Sequence, residues 1–545
     1  MKNKLRSLFK TSYLEIVLII FTFSFSVFLM FFTFHKEDGT LFIASKAWSD
    51  FGSHLPLIRS FSFGSNFPPE YPLFPGQPIN YHFLFYFLVG LIEKAGIPID
   101  YALNIPSTIG LSGLILSIYF VAKKIFQSRA VGFLSVIFFL FNSSFSFIYF
   151  LQNHKNSPNL ILDLVTNDKF SSFAPYGQGL VTAFWNLNIY TNQRHLALSF
   201  TLSLLIIFLI IYPSLSNKKI NLKLSYFLGV ILGLSFYLHI AVFFITLIVL
   251  FFLFIVFPNL RKSIFILGIP AFLISFPQYL YLQSGEGGFG IKLVNGYLTA
   301  SESSLSFVKF WVYNLGISAV LIPLGFIKSS KTARKILFCF IPLFLIGNFV
   351  QFSPEVAANH KFFNYFLLVG NMFSAFFLVF LWKKNLFLKS VSVFLFLLMI
   401  LGGIVDFFPI FNDNRGALAD YEKNKDVSWI KENTLPDSVF LNTTYFYNPA
   451  SLAGRKIFFG WPYFAWSAGY DTHKRGQMRD RIIQAPTKNL ACRLLSENGI
   501  DYVEFNSTSP ENDIPKLSAV YSKEFIPIYR TGSGYKVYSV EKNCK

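Results

Sequence analysis

The chain has 545 residues, of which 53% are hydrophobic, only 14% are charged and 71 are phenylalanine. Soluble domains carry about 25% charged residues, so this is the composition of a chain that lives largely in lipid. The net charge of +19 raises nucleic acid as a partner, yet its placement argues against one. Lysines and arginines gather in short clusters between apolar blocks: Lys2, Lys4, Arg6 and Lys10; Lys123, Lys124 and Arg129; Lys218, Lys219 and Lys223; Arg261 and Lys262; Lys328, Lys331, Arg334 and Lys335; Lys383, Lys384 and Lys389. Short loops with an excess of Lys and Arg stay cytoplasmic. The basicity is a topology signal, and no nucleic-acid partner is expected.

The apolar blocks are about twenty residues long, the length that crosses a ~30 Å hydrocarbon core. The first, Leu14–Phe34, is too long for a signal core and lacks a small-residue cleavage site, so it reads as a retained span with a cytoplasmic N-terminus. Further spans are expected at Ala102–Ala122, Ala130–Phe150, His195–Tyr212, Leu224–Leu238, Ile240–Phe257, Ser263–Tyr281, Phe307–Ile327, Ile336–Phe352, Phe362–Trp382 and Ser390–Ile410. That makes about eleven transmembrane helices in a polytopic all-α membrane domain, residues 1–410, of a cell (plasma) membrane. The odd count places the remainder outside.

Two segments depart from the twenty-residue pattern. Tyr81–Gly96 would measure only about 24 Å as a helix, and counting it as a span would invert every later basic cluster. It is expected to lie at the outer interface or to dip in without crossing, which makes the first outer loop run from 35 to 101. Tyr226–Phe257, by contrast, would span about 48 Å as one helix, so two short helices turning near His239 are expected, with one strongly tilted helix as the alternative. Residues 411–545 have dense mixed charge and read as a small extracytoplasmic α/β domain with its own core. Helices are expected at Asp420–Asn433, His473–Gln484 and Lys488–Asn498, and strands at Ser438–Asn442, Ile500–Phe505, Phe525–Tyr529 and Tyr535–Val540. The aromatic and glycine-rich stretch from Ser451 to Asp471 reads either as a carbohydrate surface or as packed core with tight turns. Cys492 and Cys544 lie in this domain, where a disulfide is allowed, and Cys339 falls in a span.

Chemistry concentrates in the outer segments. The spans hold almost no ionisable residues near their centres, which disfavours an ion-coupled transporter. In the first outer loop, Asp50 and His54 stand four apart and share a helix face, and the loop closes with Asn80-Tyr81-His82. The second outer loop, Leu151–Asn192, holds Asp163 and Asp168 and runs into Asn192-Gln193-Arg194-His195 at the mouth of a span. Asn359-His360-Lys361 opens a later span in the same way. Basic pairs at helix N-termini favour anions, and at headgroup depth a lipid phosphate or pyrophosphate is the natural candidate.

One span, a long outer loop with an acid near its start, an interfacial helix, and span pairs with basic cytoplasmic turns together resemble the GT-C class of membrane glycosyltransferases. That class includes protein O-mannosyltransferase-like and aminoarabinose transferase-like enzymes, and the resemblance covers Leu14 to Ile410. It implies a glycosyltransferase that takes a sugar from a polyprenyl-phosphate carrier and passes it, with inversion, to an acceptor glycan, lipid or protein in the cell envelope. The first-loop carboxylate of the class is its base, a role that carries over to Asp50, and a cation at the outer turn of a short helix pair corresponds to His239. Arg194, His195, His360 and Lys361 would then face the donor phosphate, and His54, Tyr81, His82 and Gln193 the sugar or acceptor, with Trp48 and Trp185 as possible pocket walls. Asp50 has Ser49 beside it rather than a second acid, so no metal or other cofactor is indicated. A polysaccharide polymerase or ligase is the alternative that shares the phosphate site; a lipid-linked glycan transporter is the other.

Overall fold

The computed structural model describes residues 13–171, 180–216, 221–285, 290–299, 301, 303–505 and 514–545. Among the described residues, seven helices are long and apolar enough to cross a membrane: Tyr13–Thr33, Ile99–Phe126, Arg194–Ser216, Pro258–Leu282, Lys331–Phe349, Val356–Trp382 and Leu386–Phe411. A bent pair adds one more candidate, and three shorter apolar helices, Arg129–Leu140, Leu222–Leu234 and Ile240–Val256, pack among them. This is an integral membrane protein built mainly of helices.

Two of the expected spans are broken. The block 130–150 is a pair of helices, Arg129–Leu140 and Ser146–Asn153. The block 307–327 bends by 82° between Ser304–Leu315 and Ser318–Lys328. These two breaks are packed into each other. The amide of Phe145 donates to the Tyr313 carbonyl at 2.9 Å, and Ser143 Oγ donates to the Leu315 carbonyl at 2.6 Å while sharing a hydrogen bond with Ser318 Oγ at 2.7 Å. Gly316 sits at φ +53°, and a Cβ there would lie 1.6 Å from the Ser143 carbonyl oxygen. Irregular backbone at membrane depth persists only where protein satisfies it, and here each break supplies partners for the other. Hydropathy cannot register such a break, because both halves stay apolar.

The two ambiguous segments resolve simply. Leu222–Leu234 and Ile240–Val256 are separate helices joined through a turn at Ser235–His239. Leu84–Lys94 is a single helix of 11 residues, about 16 Å long and too short to cross; it packs along the first-loop helix Trp48–Ser62.

The first loop and the tail form one body. Strands Phe34–Glu37 and Thr40–Ala44 make an antiparallel hairpin, and Arg415–Ala419 adds a third antiparallel strand with Thr40 opposite Ala419. The chain thus leaves its last long helix and returns at once to the loop that follows its first. Beyond it, a five-stranded mixed sheet has the order Tyr529–Arg530, Lys536–Ser539, Tyr502–Phe505, Val439–Leu441, Lys456–Ile457. Helices Lys425–Asn433, Thr472–Ile483 and Lys488–Glu497 lie close to their expected positions. The Phe525–Tyr529 strand shortens to Tyr529–Arg530, since Pro527 interrupts it.

A separate core for the tail was the expectation; the core is instead continuous. Phe51, Leu55 and Ile58 of the first loop share one apolar cluster with Phe440, Leu452 and Val503. Much of the Ser451–Asp471 stretch belongs to this packing. Arg455 is buried, donating to the carbonyls of Phe63, Ala453, Lys431 and Thr434, and Tyr470 stacks on Phe74 at 4.7 Å. Of its aromatic residues, only Tyr463 and Trp466 stay substantially exposed. Cys492 and Cys544 form a disulfide that ties the helix Lys488–Glu497 to the C-terminal turn, and Cys339 is free and buried.

Candidate active site

Asp50 lies in the first turn of the helix Trp48–Ser62, half-buried, where the second loop and the tail converge on it. Asn192, at the end of the short helix Asn188–Asn192, stabilises its carboxylate with a polar side chain. The Asn192 amide also donates to the Lys46 carbonyl at 2.9 Å, which clamps the second loop to the first. Lys361, in the first turn of His360–Trp382, acts on the Asp50 carboxylate through its charge. Burial pushes the Asp50 carboxyl up to about 6, with Lys361 and Asn192 pulling the other way. A carboxylate held near neutrality is matched to taking a proton at physiological pH.

From the other side comes the tail. Tyr447 donates its hydroxyl to the Trp48 carbonyl and packs on the Trp48 ring at 4.5 Å. Its backbone is left-handed, φ +49°, an uncommon conformation for an aromatic residue that recurs at functional sites. The neighbouring Phe446 covers Gly52, where a Cβ would come within 2.4 Å of its ring. Nothing in the sequence singled out Tyr447, and Asn192 stood out only as the first of the polar run Asn192-Gln193-Arg194-His195. Only the fold brings the tail loop over the Asp50 helix.

The remaining candidate residues divide into three groups. His54, Tyr81, His82, His195 and His239 are close together around Tyr86. His54 lies 4.7 Å from the Tyr86 ring, and Tyr81 stacks on His82 at 3.9 Å. Burial, reinforced by Arg194, pushes His54 down to about 3, so its imidazole is neutral. His360 stacks on Phe184 at 4.7 Å and lies 3.4 Å from Lys361 Nζ. Gln193 occupies the bend between the helices Asn188–Asn192 and Arg194–Ser216 and is half-buried.

Arg194 is placed differently from its expected role. It is fully buried, and its guanidinium donates to the Thr191 and Met30 carbonyls, Asn104 Oδ1, Thr33 Oγ1 and Met30 Sδ. These bonds pin the start of one long helix onto two others and leave the guanidinium committed to scaffold. Trp185 is likewise buried, donating to Asn314 Oδ1 at 2.7 Å. Asp163 sits on the short helix Leu160–Val165, in a loop that Asn412 holds against the end of the last long helix.

No family model matches the chain, and no curated protein matches it. Among solved structures it is similar to the oligosaccharyltransferase of Archaeoglobus fulgidus in its apo form. The match has a TM-score of 0.56 at 12% identity and covers 97% of this chain and 75% of that one. The same enzyme tethered to an acceptor peptide containing the NVT sequon matches with a TM-score of 0.51 at 13% identity, covering 98% and 74%. These are membrane glycosyltransferases of the GT-C fold. This chain has that fold. The match covers nearly the whole chain.

Proposed function

We propose that this protein transfers a sugar from a polyprenyl-phosphate-linked donor to an acceptor at the outer face of the membrane, with inversion and with Asp50 as the base. The carrying observation is that a GT-C fold brings the Lys361 charge to act on the half-buried Asp50 carboxylate, although the two residues open helices far apart in the chain. Glycosyl transfer displaces phosphate from an anomeric carbon through an oxocarbenium-like state. A carboxylate opposite the leaving group takes the acceptor proton, and a cation at the phosphate steadies the charge that develops there. In this reading Lys361, with His360, lies on the donor phosphate side; His54, Tyr81 and Gln193 contact sugar or acceptor. Arg194 supports the site from behind. The acceptor is a glycan, lipid or protein, and Tyr447 places the tail where an acceptor would enter.

The reading also carries a topology: eleven crossings, a cytoplasmic N-terminus, and residues 411–545 outside beside the first loop. Cysteines introduced singly at Ser65 and Ser330, both exposed, test it in a background without native cysteines. An impermeant thiol reagent applied to intact cells is expected to label the first and spare the second. Equal labelling of both rejects this orientation.

Likeness to an oligosaccharyltransferase favours a second version, transfer of a preassembled glycan rather than one sugar. Purified protein is therefore incubated with a panel of polyprenyl-phosphate sugars and lipid-pyrophosphate oligosaccharides, and release of the lipid phosphate is followed. Turnover of a monophosphate-linked sugar is the expected result, and turnover of oligosaccharide donors alone selects the second version. With the productive donor, Lys361→Met is expected to weaken binding by roughly 10-fold or more, the worth of a charge-assisted hydrogen bond. If no donor is cleaved, or Lys361→Met binds donor as tightly as the native chain, the transferase reading fails.

A further inference from the structure

His82, His195 and His239 come from three separate parts of the chain and meet at one buried point. Their ring nitrogens lie within 4.8 Å of one another. His82 Nε2 and His195 Nε2 are 2.8 Å apart, the His239 ring stacks on His82 at 4.3 Å, and the His195 and His239 rings are 5.0 Å apart. The exposures are 9%, 0% and 2%. Each is held by backbone: His195 in the first turn of Arg194–Ser216, His239 as the residue capping Ile240–Val256, and His82 in the turn whose Leu84 amide donates to the Tyr237 carbonyl at 3.0 Å.

This arrangement has no good account as a set of ordinary core histidines. Neither nitrogen of His239 has a hydrogen-bond partner, and leaving a buried polar atom unpaired costs about 1–3 kcal/mol. Two Nε2 atoms at 2.8 Å share at most one proton between them, so at least one lone pair points at the other ring. Tyr86 Oη lies 2.8 Å from His195 Nδ1. If Nδ1–H donates to that oxygen, the Nε2 lone pair of His195 turns into the cluster, which is how an outer hydroxyl or carboxylate orients a metal-binding imidazole.

We propose that His82, His195 and His239 bind one zinc-class transition-metal ion. Three neutral imidazoles are a donor set for zinc and its neighbours and not for magnesium or calcium, which take oxygen ligands. Tetrahedral zinc at 2.0–2.1 Å from each nitrogen sets them about 3.3 Å apart, a spacing that small ring rotations reach from this geometry. Three protein ligands leave a fourth position for an oxygen. Lys361, whose charge acts on all three histidines, opposes a dication here, so an anionic oxygen is favoured in that position. The metal accounts for the unpaired nitrogens of His239 and for the convergence of three chain segments at one point. It does not depend on the transferase reading.

The test uses the full-length protein in detergent, purified through an affinity tag that contains no histidine and without chelator. Metal content by mass spectrometry is expected to be about one zinc per chain, falling at least about 10-fold in His82→Gln and in His239→Gln. It is expected to stay unchanged in Asp50→Asn. Exchange with cobalt(II) is expected to give the strong visible absorption of a four-coordinate ion in the native chain and none in either glutamine variant. Both variants are first required to elute as the native, monodisperse species, so that a lost site is not a lost fold. A native chain that carries less than about a tenth of an equivalent and takes up no cobalt overturns the proposal, as does metal retained in full by both variants. No sugar donor enters these measurements, so failure of the site and failure of the transferase reading are separate results.

Discussion

Asp50→Asn is expected to lower the turnover of a lipid-linked sugar donor by about 10²- to 10⁴-fold, the range contributed by a positioned general base. The amide keeps the shape of the carboxylate and its contact with Asn192, so donor affinity is expected to change far less than turnover. The split between the two distinguishes a base from a residue that merely holds the loop. The pH profile gives a second readout. Burial places the Asp50 carboxyl at about 6, and the base works only when ionised. Turnover at saturating donor is therefore expected to rise with pH through an acid limb centred near 6, about two units above an ordinary aspartate. The groups acting on it are the Lys361 ammonium and the Asn192 side chain, which lower its pKa, and the Tyr81, Tyr86 and Tyr447 hydroxyls, which stay neutral in that range. Lys361→Met removes the lowering influence and is expected to move the limb to higher pH. Asp50→Asn with full turnover would transfer the role of base to another residue, and Asp163 and Asp168 in the second loop are the next acids to test.

The sequence was most informative where the physics is local. Apolar blocks, basic turns and the too-short segment 81–96 depend on composition over about twenty residues, and the structure places helices accordingly. Asp50 and Lys361 stand out in the sequence as charges beside outer loops, and the structure puts each in the first turn of a helix. What the sequence could not convey was partnership. Arg194 reads as an anion binder at a helix N-terminus, yet Met30, Thr33 and Asn104, which consume its donors, lie on other helices. His82, His195 and His239 form no motif; His82 and His195 are 113 positions apart. The broken helices near Ser143 and Gly316 fall in blocks whose hydropathy is unbroken, since their freed backbone groups are satisfied by each other. The tail was recognised by its charge, but the core it shares with the first loop is visible only once Arg415–Ala419 pairs with Thr40–Ala44.

Arg59→Met is expected to loosen the tail from the first loop by about 3–5 kcal/mol, the cost of leaving buried charges without their partner. Arg59 is 1% exposed. Its Nε lies 2.9 Å from Glu93 Oε1 and one terminal nitrogen lies 2.9 Å from Asp420 Oδ2. Lys36 also meets Asp420 at 2.8 Å, and Ser62 Oγ donates to Glu93 at 2.6 Å. One guanidinium thus joins the first-loop helix, the short helix Leu84–Lys94 and the start of the tail. Methionine fills similar volume, so packing is largely kept and the electrostatic loss dominates. Asp420 now sits below the usual carboxylate range because Arg59 and Lys36 outweigh the upward push of burial. Without Arg59, burial is expected to raise Asp420 and to push Glu93, which burial already raises in the native chain, higher still. A carboxyl raised in the folded state favours the fold below its unfolded pKa, and that advantage is lost as pH rises through the folded value. The deficit of the variant is therefore expected to be largest near pH 8 and to shrink as pH falls toward about 5. Glu93→Gln and Asp420→Asn added to Arg59→Met are expected to recover most of the loss, because no buried charge is then left uncompensated. The measurement is the rate of proteolytic cleavage within the tail, followed across this pH range beside thermal unfolding in detergent. A variant cleaved no faster than the native chain at pH 8 would mean that the shared apolar core alone holds the tail in place.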